Sequence, residues 1–118
     1  SYTDFEYGPA DIILANDSIS ISLSIKNIGS TKGKEVIQVY MEKLTPSVDR
    51  PVQELKGFVK TETLEPGVSE NISISIPVSE LGYWDEAENG WVVEKGAYHI
   101  KVAASSRDIR QEGEIIIE

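Results

Sequence analysis

From Ser18 to Ile25 the chain alternates serine with isoleucine or leucine. Ile19, Ile21, Leu23 and Ile25 share one face of a two-residue repeat, and the serines share the other. An extended strand lying half-buried on a core accommodates that period, and a 3.6-residue helix does not. Asn71 to Ile76 repeats the device, with Ile72, Ile74 and Ile76 set against Ser73 and Ser75. Gly96 to Ala104 is a third case: Tyr98, Ile100, Val102 and Ala104 are expected inward, His99, Lys101 and Ala103 outward. A last strand is expected over Ile109 to Ile117.

Gly33 to Met41 breaks the rule. Val36, Ile37, Val39, Tyr40 and Met41 are apolar on both faces of the predicted strand. Such a strand is usually covered on both sides, whereas an outer face of a two-sheet sandwich meets water. The row Val36, Gln38 and Tyr40 is therefore a candidate docking surface for a neighbouring body, or else a row covered by a loop of the same domain.

Turn chemistry separates these runs. Asn27 to Gly33 holds two glycines and reads as a hairpin or inter-sheet loop. Glu65-Pro66-Gly67 has the composition of a type II turn. Pro77 to Gly82 predicts one helical turn, capped by Ser79 and ended by Gly82. Asn89-Gly90 before Trp91 is a hairpin signal. About seven strands, no long helix and regularly spaced turns predict an all-β fold. The expected architecture is an immunoglobulin-like or fibronectin type III-like sandwich of two antiparallel sheets, with residues 1–118 forming one domain.

Composition narrows the function. The chain has 118 residues, 20 acidic against 11 basic, and a net charge of -9. That charge opposes nucleic-acid and anionic-membrane binding. There is no cysteine, so neither disulfides nor thiolate metal sites arise. No apolar run reaches the ~20 residues of a bilayer-spanning helix. No basic-then-apolar leader opens the chain, so a targeting signal of any larger parent is expected upstream. These features leave the compartment open.

The residues supply little catalytic chemistry. Asp85, Glu86 and Glu88 cluster in a predicted exposed turn, where nothing raises a carboxyl pKa for acid catalysis. The same run imitates the start of an EF-hand loop, but Ala87 and Gly96 stand where oxygen ligands are needed. No catalytic residue, metal ligand or cofactor is assigned. Asn16-Asp17-Ser18 and Asn71-Ile72-Ser73 match the glycosylation sequon. Trp84, Trp91, Tyr83 and Tyr40 suggest an alternative: a stand-alone carbohydrate-binding module with a flat aromatic platform built on Trp84 and Tyr83. Trp91, next to Val92-Val93, is expected to be buried.

Several blocks occur in a fixed order: Ser1-Tyr-Thr-x-Phe5-x-Tyr7, Gly33-x-Glu-Val-x-Gln-x-Tyr40, Arg50-Pro-x-x-Glu-Leu-Lys-Gly-Phe58, Leu64-x-Pro-Gly67, Tyr83-x-Asp85, Trp91-Val-Val-Glu-x-Gly96 and Ser105-Ser-x-Asp-Ile109. The ordered set closely resembles the C-terminal fibronectin III-like domain of family 3 glycoside hydrolases. Gly82 and Ala104 are small departures from the family pattern. The resemblance implies a longer parent, a β-glucosidase or β-xylosidase. In it, an N-terminal barrel carries an Asp nucleophile and a second domain often carries a Glu acid/base. None of that machinery maps onto this chain, which opens within the first block as an excised C-terminal piece would. The implied partner is the set of catalytic domains of the same polypeptide, with an oligosaccharide as a lesser alternative. Arg50 and Pro51 are expected to pin a long loop, with Arg50 offering its planar fork to the catalytic body. Val36, Tyr40, Phe58 and Trp84 are expected to supply apolar docking anchors.

Overall fold

The computed structural model describes residues 3–50 and 52–118. Ten strand segments are present among them: β1 (Phe5–Tyr7), β2 (Asp11–Ala15), β3 (Ser18–Asn27), β4 (Val36–Lys43), β5 (Glu54–Lys60), β6 (Ser69–Pro77), β7 (Tyr83–Asp85), β8 (Gly90–Val92), β9 (Gly96–Ser105) and β10 (Asp108–Ile117). β1 and β2 pair end to end with the same side of β3, and β6 pairs with its other side. β10, β9, β4 and β5 lie in that order in the second sheet. All pairings are antiparallel. Counting β1 and β2 as one strand broken at Gly8-Pro9, the two sheets hold the expected seven strands. β7 and β8 form a separate two-stranded ribbon between β6 and β9.

The alternating runs became strands because each gives the core one apolar face. Ile19, Ile21 and Ile25 of β3 are fully buried, and Leu23 nearly so. They meet Ile37, Val39 and Met41 of β4 and Tyr98, Ile100 and Val102 of β9 in one continuous core between the sheets. Burying a side chain of this size stabilises by roughly 1.5–3 kcal/mol, so this row dominates the fold's stability. Ile72 and Ile76 of β6 join the core, while Ile74 and Ala104 pack on it only partly buried. Ala103, expected outward, is fully buried even though it pairs with outward Gln38. A single methyl flanked by Gln38 on β4 and Ile109 on β10 leaves little to expose.

The turns follow their chemistry, with exceptions. Val68 donates to the Glu65 carbonyl at 3.0 Å and Gly67 sits at φ +84, as a type II turn requires. Residues 27–33 connect the two sheets. β4 begins at Val36, not at Gly33, which makes only an isolated bridge to Leu64. The helical turn is a 3-10 turn over Val78–Leu81 whose N-cap is Pro77, without a side-chain cap. Ser79 instead accepts at its carbonyl from Gly82. Asn16 and Asp17, read only as a sequon, both take positive φ and close the β2–β3 hairpin as a two-residue turn.

Candidate functional site

The outer face of the second sheet is the first candidate. On β4 the inward row is Ile37, Val39, Met41 and Lys43, which leaves Val36, Gln38, Tyr40 and Glu42 facing outward and half-buried. Phe58 pairs opposite Gln38 and is 60% exposed. Leu55 pairs opposite Tyr40 and is 52% exposed. The register shifts between Val39 and Tyr40, so Lys56 is an extra residue in the ladder. That bulge puts Leu55 and Phe58 on the same side, although simple alternation separates them. Strand alternation in the sequence therefore does not place Leu55 beside Phe58.

The chain also covers part of this row itself. Lys101 Nζ donates to Gln53 Oε1 at 2.9 Å, and Gln53 Nε2 donates to the Ser106 carbonyl at 3.4 Å. Lys101 also faces Glu42 at 3.3 Å. Tyr40 Oη bonds to Gln38 Oε1. Gln53 thus covers the Lys101 side of this face, while Leu55 and Phe58 stay open. His99, on the same face, lies 2.9 Å from Glu112.

Arg50 takes a different place from the one expected. Its side chain is only 7% exposed. Nη2 donates to the Leu81 carbonyl at 3.1 Å and lies 3.5 Å from Glu54, and Nη1 lies 3.6 Å from Glu94. The guanidinium also covers the Tyr83 ring at 5.5 Å. Its planar fork is engaged within the domain, tying residues 44–50 to the 3-10 turn and to the β7–β8 ribbon. Pro51 lies outside the described residues.

Glu94 is the other half of this clamp. It accepts from the Ser47 backbone N–H at 2.9 Å. Hydrogen bonding from Ser47, its side chain first and its backbone N–H after it, holds the Glu94 carboxyl below the usual range against the opposing effect of burial, aided by the nearby Lys43 and Arg50 charges. Arg50 Nη1 and Glu94 Oε1 are both buried without a hydrogen bond among the described residues, so their attraction is ionic at a distance. Tyr98 donates to the Glu94 carbonyl at 2.6 Å, and burial pushes its phenol up. Lys43 lies over the Tyr98 ring at 5.7 Å. Gly96, at φ +118, leaves room for it: a Cβ there would come within 2.9 Å of Lys43 Nζ.

Above this clamp stand the tryptophans. Trp84 and Trp91 are directly opposed on the β7–β8 ribbon, their rings 5.7 Å apart and inclined at 83°. Trp91 is 74% exposed, contrary to the expected burial. The reason is that β8 belongs to the projecting ribbon and not to either core sheet. The pair is edge-to-face, Tyr83 is capped by Arg50, and Tyr40 lies on the sheet face, so no flat four-ring platform forms. Asp85 closes the ribbon's loop by accepting from the Ala87 and Glu88 N–H groups at 2.9 and 3.1 Å, with Asn89 at φ 50. A cleft of about 510 Å³ lies between this ribbon and residues 48–50, with Trp84 and Trp91 among its walls. Among the described residues no acidic or histidine cluster has the geometry to hold a metal.

Strand order and register define a fibronectin-type antiparallel sandwich. The fibronectin type III-like domain model matches residues 35–106, and the chain belongs to that family. The chain is 41% identical over its whole length to a probable β-glucosidase K from Emericella nidulans, of which it covers 14%. It superposes on β-glucosidase 3B from Thermotoga neapolitana with a TM-score of 0.91, at 41% identity over 98% of this chain and 16% of that one. For the Kluyveromyces marxianus β-glucosidase the TM-score is 0.94, at 40% identity over 99% of this chain and 14% of that one. The chain is thus similar to a small accessory part of family 3 β-glucosidases, the relationship that its ordered motifs imply.

Proposed function

We propose that residues 1–118 are the C-terminal, non-catalytic domain of a family 3 β-glucosidase that hydrolyses β-linked glucosides. The domain packs on the catalytic domains of the same polypeptide and stabilises them. Val36, Tyr40, Leu55 and Phe58 form the docking face, Trp84 is a second anchor, and Arg50 fixes the neighbouring loop from inside. The observation that carries this reading is the pairing of Leu55 with Phe58. Two large apolar side chains, more than half exposed, sit together on a sheet face of a chain that spans 14–16% of its relatives. Exposed apolar patches of this kind mark contact surfaces. Aromatic anchors at their centres carry most of the binding energy.

Phe58→Asp tests it in two settings. In the isolated domain the change is expected to alter stability by less than about 0.5 kcal/mol, because the ring is already in water. In the parent enzyme it is expected to lower the melting temperature and turnover. A parent indifferent to Phe58→Asp would overturn the docking face.

A further inference from the structure

The cleft beside the β7–β8 ribbon is not used by that docking face. Trp84, Trp91, Val48, Asp49 and Glu86 line it together with Arg50, whose own charge is countered by Glu54 and Glu94. A two-stranded ribbon has little stability of its own. Here Arg50 holds it from behind through the Leu81 carbonyl and the Tyr83 ring, and Asp85 fixes its loop. The two indoles are therefore presented in a set geometry, Trp91 largely in water and Trp84 a little under half exposed.

The polar groups around the cleft decide what fits. Asp85 is engaged by two backbone N–H groups, and Glu54 faces both Arg50 and Lys56. Both carboxylates are thus turned largely toward partners within the domain. Among the described residues the edge-to-face indoles present no extended flat face of the kind on which a neutral sugar ring stacks. Asp49 and Glu86 are exposed and, among the described residues, have no cationic partner. They add negative potential without direction, on a chain whose net charge is -9. Indole faces in a negative field suit a planar, weakly hydrated cation, which is what a guanidinium is.

We propose that this cleft seats an arginine side chain carried by the catalytic domains of the same parent polypeptide. This rests on the docking reading and adds the chemistry of a second contact. The Trp84–Trp91 pair supplies the stacking surface, and Asp49 and Glu86 supply the counter-charge.

The test titrates the 118-residue chain with N-acetyl-arginine amide while following tryptophan fluorescence. A saturable change with millimolar half-saturation is expected, weakened at least threefold by ~0.5 M salt. N-acetyl-citrulline amide, its neutral isostere, and cellobiose are expected to bind at least about tenfold more weakly. Trp91→Ala should abolish the response, Asp49→Asn with Glu86→Gln should weaken it, and Phe58→Ala should leave it intact. No saturation by about 100 mM, equal binding of citrulline amide or cellobiose, or a response surviving Trp91→Ala would overturn the proposal. The Phe58→Asp parent enzyme reports separately on the docking reading. A lost cleft response with a still-destabilised parent removes only the arginine seat.

Discussion

Replacing Arg50 by alanine tests whether the clamp or an external contact is the residue's main role. Three effects add. The charge-assisted bond to the Leu81 carbonyl, 3.1 Å long, is worth about 1.5–3 kcal/mol. The contact with the Tyr83 ring adds about 0.5–1 kcal/mol. Glu94, with a side chain only 14% exposed, loses a counter-charge, although Lys43 and the Ser47 N–H still compensate it in part. Solvent reorganisation in the vacated space offsets some of this, so a net loss of about 2–4 kcal/mol is expected. That is a large part of the 5–15 kcal/mol typical of a domain. At roughly 4 °C per kcal/mol, the melting temperature should fall by about 10 °C. Urea unfolding of the isolated chain is the assay, and an unchanged slope shows that stability alone has moved. Arg50→Lys should recover less than half of the loss, because an ammonium cannot satisfy the carbonyl, the ring and Glu94 together. A loss under about 0.5 kcal/mol for Arg50→Ala would refute the clamp and return the guanidinium to a surface role.

Other perturbations read other parts of the structure. Asn27 is fully buried, with Nδ2 donating to the Thr31 and Leu64 carbonyls and Oδ1 accepting from Thr3 and Gly29. Asn27→Ala should cost at least ~3 kcal/mol in urea unfolding, and a near-neutral result would mean that the loop repacks without this hub. Ile21→Ala should cost about 2–5 kcal/mol, because its side chain is wholly enclosed between the sheets. The carboxyls of Glu94 and Asp108 are held low in the folded chain, the first chiefly by the Ser47 bond and the second chiefly by its bond to Arg110. Near pH 4 the unfolded chain therefore binds more protons at these groups than the folded one. Their contribution is present above the ordinary carboxylate range and is lost as pH falls through the lowered values. The urea midpoint should decline on acidification below about pH 4.5, and a rising midpoint would contradict this.

The two-sheet sandwich was legible because its strands repeat a two-residue period. The Ser18–Ile25 and Asn71–Ile76 runs alone define most of one sheet and its inward face. What escaped the reading depends on register or tertiary position. Leu55 joins Phe58 only through a bulge at Lys56, and nothing local announces an extra residue in a ladder. Trp91 looks like a strand residue and is one, but its strand stands away from the core, so its burial cannot follow from its neighbours in sequence. The Arg50-Pro block draws attention to Arg50 from the sequence, and the side chain turns into its own domain. The direction of its fork depended on Leu81, Glu94 and Tyr83, which lie more than 30 residues away in the chain. The Asn16-Asp17 turn was readable in principle, since paired residues tolerant of positive φ between two strands mark a tight hairpin.

The most direct measurement is a calorimetric titration of the 118-residue domain into the proposed parent enzyme lacking it, followed by thermal unfolding of the mixture. Saturable one-to-one binding is expected, with recovery of the melting temperature and turnover of the intact enzyme. A truncated enzyme that keeps the intact protein's melting temperature and turnover, and binds none of the added domain, would contradict the assignment of this sandwich as a stabilising partner of the catalytic body.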